Sequence, residues 1–152
     1  MTFKTTSPRN AAMNLLARRE HSQTELRRKL RTRFEPEALD EALERLLEEG
    51  LLSDERFAMS FTRERLLRGH GPIRIQSELR QRGVSERIAE KAIANIPLEE
   101  SITWEQVARS TCEKKYGDAT PVDIPEKVKR SRFLSYRGFS SDQIQQALGW
   151  RD

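Results

Sequence analysis

Apolar residues recur along this chain every three or four positions and rarely alternate, a pattern that predicts helices throughout and no strand. Pro8 can open a first helix reaching about residue 19, with Ala12, Leu15, Leu16 and Arg19 at helical spacing. Ser22-Gln23-Thr24-Glu25 then reads as a capping box, in which the serine hydroxyl accepts an orphan amide and Glu25 reaches back to the Ser22 amide. It starts a second helix whose apolar line is only Leu26, Leu30 and Phe34, with Arg27, Arg28, Lys29, Arg31 and Arg33 covering the rest. Pro36 opens a third, where Leu39, Ala42, Leu43, Leu46 and Leu47 form an i, i+3, i+4 stripe. Glu37, Glu41, Glu44, Glu48 and Glu49 face water on that helix, and Gly50 ends it.

The same logic continues downstream. Helices are predicted near 54–68, 72–82 and 86–95, with breaks at Gly69-His70-Gly71-Pro72 and at Gly83. In the first of these Phe57 and Phe61 share a face, whereas Met59 and Leu66 lie nearly opposite, as suits a central unit packed on both neighbours. Three more are predicted near 102–116, 124–137 and 141–148, the last opened by a box of Ser140 and Gln143. The segment from Tyr116 to Pro121 is the longest connection and the expected site of flexibility.

Nine helices in three sets carry an internal repeat. Arg82-Gly83-Val84-Ser85 followed by Ala92-Ile93 recurs as Arg137-Gly138-Phe139-Ser140 followed by Ala147-Leu148, at the same separation. A degenerate earlier copy aligns Leu30-Arg31-Thr32-Arg33 with Leu79-Arg80-Gln81-Arg82, but it lacks the glycine, so Phe34-Glu35-Pro36 must turn differently. The expected fold is therefore all-α, three tandem three-helix repeats stacked into an elongated, curved array, with modules 1–52, 53–98 and 99–152. Units of this size bury little alone and depend on packing against neighbours. Leu30, Leu79 and Leu134 should be buried at corresponding positions, each facing the third helix of its own module.

Composition narrows the function. Charged residues make up 34% of the 152 and aromatics 7%, so the core must be mainly aliphatic. The net charge of +4 says little until it is divided along the chain. Basic residues outnumber acidic ones 9 to 2 over 1–34 and 7 to 2 over 56–82, whereas acidic residues lead 9 to 1 over 35–55 and 5 to 2 over 83–105. Separated fields of both signs follow. A single cysteine, Cys112, excludes an internal disulfide, and with only His21 and His70 no zinc site of Cys and His is expected. Residues 1–10 show no apolar h-region and no run of about 18 apolar residues occurs, so neither secretion nor membrane spanning is expected, and the natural compartment is the cytoplasm.

No catalytic constellation is legible. A GxxxxGK loop, metal-spaced His or Cys and a nucleophile elbow are all missing from the sequence. Gly69-His70-Gly71 is too short to cradle a nucleotide, and Pro72 removes an amide such a cradle needs. His21 reads as a helix-boundary residue and the glutamates of the third helix as a solvated face. What remains are basic clusters on helices, the kind that meet phosphates or acidic protein surface. The candidate partner-binding residues are Arg27, Arg28 and Arg31, then Arg56, Arg63 and Arg74, then Lys127, Lys129, Arg130, Arg132 and Arg137. Cofactor, metal and catalytic residues are expected to be none.

These residues resemble a known family. The stretch from Arg19 to Leu30, Gly50-Leu51-Leu52-Ser53-Asp54-Glu55-Arg56-Phe57-Ala58, Gly71-Pro72-Ile73-Arg74-Ile75 with Leu79 and Gly83, and Lys129 with Arg132-Phe133-Leu134 and Arg137-Gly138-Phe139 are similar, in order, to the bacterial RecX regulatory proteins, modulators of the RecA recombinase. Many members read Gly-Tyr-Leu-Asp-Asp where this chain has Leu51 and Ser53. The resemblance implies three tandem three-helix modules, no enzymatic activity, and binding in the helical groove of a RecA filament on DNA that restrains strand exchange, ATP hydrolysis and coprotease activity. A monomer with at most weak direct binding to DNA is expected. The alternative reading is a DNA-binding protein with helix-turn-helix-like modules, against which the Glu-rich third helices would set carboxylates facing phosphates.

Overall fold

The computed structural model describes residues 6–149, and among them lie nine helices and no strand. They are α1 (Pro8–Leu16), α2 (Gln23–Leu30), α3 (Pro36–Glu48), α4 (Asp54–Leu67), α5 (Pro72–Gln81), α6 (Glu86–Glu99), α7 (Trp104–Tyr116), α8 (Ile124–Tyr136) and α9 (Ser141–Leu148). The closely packed helix pairs all fall within three successive sets of three, so the chain is an all-α tandem repeat.

Local chemistry sets the boundaries. Ser22 closes its capping box with Glu25, and Ser140 closes the matching one with Gln143. A third box at Thr103 and Gln106 starts α7 two residues later than the apolar spacing alone predicts. The larger departure is α6, which was expected to stop near Asn95 but continues through Pro97 to Glu99. A proline inside a helix removes the amide that would serve the carbonyl four residues back. That carbonyl belongs to Ile93, and the Trp104 indole Nε1 donates to it at 3.2 Å, while Ile96 and Pro97 are buried.

Each set has its own apolar core. Leu26, Leu30, Leu39, Leu43, Leu46 and Leu52 fill the first, and Phe57, Ile75, Leu79, Val84, Ala89 and Ala92 the second. Val107, Ala108, Cys112, Leu134, Phe139, Ile144 and Ala147 make the third, which also takes Leu66 from α4 and Ile96 from α6. The two apolar faces of α4 thus divide as its sequence predicts: Phe57 and Phe61 pack on the second core, Leu66 on the third, and Met59 on both. Leu30, Leu79 and Leu134 are buried, each with residues of its own third helix.

The joints between sets repeat one another. Where the second set meets the first, Ser22 Oγ donates to the Arg82 carbonyl at 2.7 Å and Arg28 Nη1 to the Gln81 carbonyl at 2.6 Å. Where the third meets the second, the Gly71 amide donates to the Arg137 carbonyl at 2.8 Å and the Ile73 amide to the Gly138 carbonyl at 3.0 Å. In both, the N-terminal end of one middle helix grips a carbonyl that ends the next, and at the first joint Arg28 in the last turn of α2 adds a second bond. Gly83 and Gly138 supply the left-handed turn (φ +78° and +102°) and the clearance: a Cβ on Gly83 would overlap the Thr24 side chain, and one on Gly138 would lie 2.7 Å from the Arg74 amide nitrogen. In the first set the matching turn packs against no earlier module among the described residues, and it dispenses with glycine. Phe34 shows no positive φ there.

Candidate partner-binding surface

The basic residues singled out from the sequence divide into those spent inside the molecule and those facing water. Arg27 Nε pairs with Asp40 of α3 at 2.9 Å, and Arg56 pairs with Glu20 and with the Gly50 carbonyl, both at 2.8 Å. Arg63 lies 3.5 Å from Glu99 and 3.9 Å from Glu100. Half-exposed pairs of this kind hold orientation more than they add stability. Arg28 reaches across the first joint, as described. Arg74 stands at the second, its guanidinium 5.9 Å from the Tyr136 ring, and Arg137 reaches the Arg68 carbonyl at 3.4 Å.

Arg130 departs from the expectation outright. Its side chain is 9% exposed, with Nη1 donating to the Ala119 carbonyl at 2.7 Å and Nε to Glu126 at 3.2 Å. It ties the connection between α7 and α8 to the body of the module, so it is not part of the outer basic face. The sequence could have shown Glu126 as its i, i+4 partner, but not the carbonyl. Arg31 and Arg132, by contrast, are exposed and make no ion pair among the described residues. Lys129 is exposed beside them in kind, one turn of α8 before Phe133.

Aromatic organisation of the third cluster escaped the sequence reading. Tyr116 and Phe133 meet edge to face at 5.6 Å, and cations surround the pair: Lys115 Nζ lies 4.6 Å and the Arg137 guanidinium 5.0 Å from the Phe133 centroid, and Lys129 Nζ 5.5 Å from that of Tyr116. The spacing of Lys129, Phe133 and Arg137, four apart, was the available signal. A second such group occupies a cleft of about 440 Å³ at the first joint, where the Arg65 and Arg82 guanidiniums lie 4.3 and 4.6 Å from the Phe61 ring centre. Glu25, also lining it, is pulled below its usual range: burial alone would raise it, but hydrogen bonds from Arg19 and the Ser22 amide prevail. Arg82 sits 3.7 Å away.

The remaining titratable groups are structural. His21 is buried, its Nδ1 3.1 Å from the Arg19 carbonyl and its Nε2 3.2 Å from Lys29 Nζ, an arrangement that takes a neutral ring donating through Nδ1 and accepting through Nε2. Burial first, and neighbouring cations after it, hold its pKa below the usual value. Among the described residues no cluster of three or more His, Cys, Asp or Glu could hold a metal ion, and no helix is long and apolar enough to cross a membrane. Exposed carboxylates cover α3, as expected of a solvated face.

Comparison with known proteins gives one consistent result. Profiles of the first, second and third three-helix domains of RecX match residues 9–46, 53–93 and 105–148. The regulatory protein RecX of Pseudomonas fluorescens is 47% identical over 146 residues, covering 95% of this chain and 91% of the relative. That of Halorhodospira halophila is 41% identical over 145 residues, covering 95% and 88%. The crystal structure of RecX from Lactobacillus salivarius superimposes with a TM-score of 0.78 over 93% of this chain and 92% of that one, at 24% identity, a likeness of fold.

Proposed function

The chain belongs to the RecX family of regulatory proteins, and on that premise we propose that it binds the RecA filament assembled on DNA, along its helical groove, and restrains recombinase, ATPase and coprotease activity without catalysis of its own. The observation that carries this reading is the distribution of exposed cations. They do not converge on a pocket but recur along the array, with Arg31 at the C-cap of α2, Arg80 on α5, and Lys129 and Arg132 on α8. A row of modules joined by repeated contacts suits a repeating polymer, because several weak contacts held in register act together.

The direct test is RecA ATP hydrolysis on single-stranded DNA with the purified protein titrated in. Hydrolysis and strand exchange should fall as the protein is added. Unchanged rates at several-fold molar excess remove the reading. Lys129→Glu with Arg132→Glu separates filament from plain DNA: filament binding should fall more than naked-DNA binding, whereas equal losses, with the salt dependence flattened by roughly one unit per phosphate contact, favour a direct DNA binder.

A further inference from the structure

Of the aromatic residues among the described ones, Tyr136 alone is exposed, with 81% of its surface open to water. Every other ring packs on one of the three cores, and Tyr136 belongs to none of them. A single exposed ring means little by itself. Its surroundings give it meaning. At about 100° per residue, α8 sets Lys129, Arg132 and Tyr136 within about 60° of one another on its outer side. From residue 127 to 137 the chain carries no Asp or Glu.

A third cation arrives from the second module. The Gly71 and Ile73 amides bond to the Arg137 and Gly138 carbonyls, which fixes the start of α5 against the end of α8 and sets the Arg74 guanidinium 5.9 Å from the Tyr136 ring centre. The carboxylate beside Arg74 cancels little of its charge: Glu78 Oε1 lies 3.9 Å from Arg74 Nε, but also 3.4 Å from Arg65 Nε and 3.9 Å from His70 Nδ1. One carboxylate is thus shared by two arginines.

We propose that Tyr136 is a stacking platform for an unpaired base and that it forms, with Arg74, Arg132 and Lys129, a subsite for single-stranded DNA. An aromatic face takes the π face of any base that has left its own stack, and cations beside it take the phosphates on either side. A base inside a duplex keeps its faces covered by its neighbours, so the ring favours one strand over two. A ring that anchors a protein interface sits in a desolvated, well-packed surround. Tyr136 instead has Arg132, Ser135 and Arg137 around it on α8. The stacking rests on this geometry alone, whereas the choice of DNA over RNA rests on the functional reading above. Lys129 and Arg132 then meet a strand's phosphates as well as the filament's protein, which is why reversing their charge should cost more on the filament than on naked DNA.

The test is binding of the full chain, at low salt, to a labelled oligothymidylate, to a duplex and to an oligouridylate of the same length. Tyr136→Ala should weaken oligothymidylate binding at least about fivefold, the lower end of what one stacked base contributes, and duplex binding less than about twofold. Tyr136→Phe keeps the ring and should bind as the wild type does. Tyr136→Trp should gain fluorescence that oligothymidylate quenches beyond any change in the wild type, whose Trp104 and Trp150 supply the background. Circular dichroism checks the fold of each variant. Equal losses on strand and duplex, a Tyr136→Phe protein as weak as Tyr136→Ala, or a wild type that leaves oligothymidylate unbound overturns the proposal. So does tighter binding of the wild type to oligouridylate, which makes the strand RNA. Undiminished oligothymidylate binding overturns it as well, and a loss confined to RecA filaments then makes Tyr136 a protein contact. The filament reading is decided separately, by RecA ATP hydrolysis.

Discussion

At single residues, glycine placement has a measurable consequence. Gly50 and Gly138 both adopt positive φ, but a Cβ at Gly50 meets nothing within 4 Å, whereas one at Gly138 strikes the Arg74 backbone. Gly50→Ala should therefore cost about 1–2 kcal/mol, the left-handed penalty alone. Gly138→Ala should cost at least twice that, read from urea unfolding. The histidines make a second prediction. Burial first, and then nearby cations, hold His21 and His70 below the ordinary imidazole value. As pH falls through about 6.5 the unfolded chain takes up protons that the folded chain resists. Stability is then complete above that value and declines below it, so the melting temperature should drop between about pH 7.5 and 5.5. His21→Gln with His70→Gln should flatten the dependence.

Among elements, two caps with the same local chemistry do different work. Ser140 Oγ accepts the Gln143 amide and bonds no other module among the described residues, whereas Ser22 Oγ accepts the Glu25 amide and also donates across the joint to Arg82. Ser140→Ala should cost about 1 kcal/mol, as an ordinary N-cap does. Ser22→Ala should exceed it by about 1 kcal/mol for the second bond. The continuation of α6 through Pro97 makes a similar case. Trp104→Phe keeps the ring but leaves the Ile93 carbonyl without its donor, and should loosen the last turn of α6, seen as faster amide exchange at 98–100.

Across the whole molecule the three modules are unequally joined. The second and third share apolar core through Leu66 and Ile96, whereas the first is held by polar contacts: Ser22 and Arg28 to carbonyls, Arg56 to Glu20, and the Gln23 amide to Asp54 Oδ1 at 2.8 Å. Leu66→Ala, although on a helix of the second module, removes packing from the third. It should cost about 3 kcal/mol and speed amide exchange in α7–α9 and α4–α6 while sparing α1–α3. Uniform acceleration would mean the array unfolds as one cooperative unit.

The sequence alone determined what depends on neighbours within a turn or two. Helix periodicity, proline starts, serine boxes and the buried leucines all follow from such short-range rules, and the Arg-Gly turns are legible because few residues but glycine tolerate positive φ. The RecX resemblance rests on the same residues. Tertiary structure decided where the arginines ended. Arg56 meets Glu20 across 36 positions, Arg28 meets Gln81 across 53, and Arg130 turns inward to the Ala119 carbonyl. A guanidinium on a long stem can satisfy itself at any of several acceptors, and periodicity does not distinguish them. The end of α6 was placed too early for the same reason, because Pro97 follows it. Its missing amide breaks a helix unless some distant group serves the abandoned carbonyl, and only the folded chain brings the Trp104 indole to Ile93.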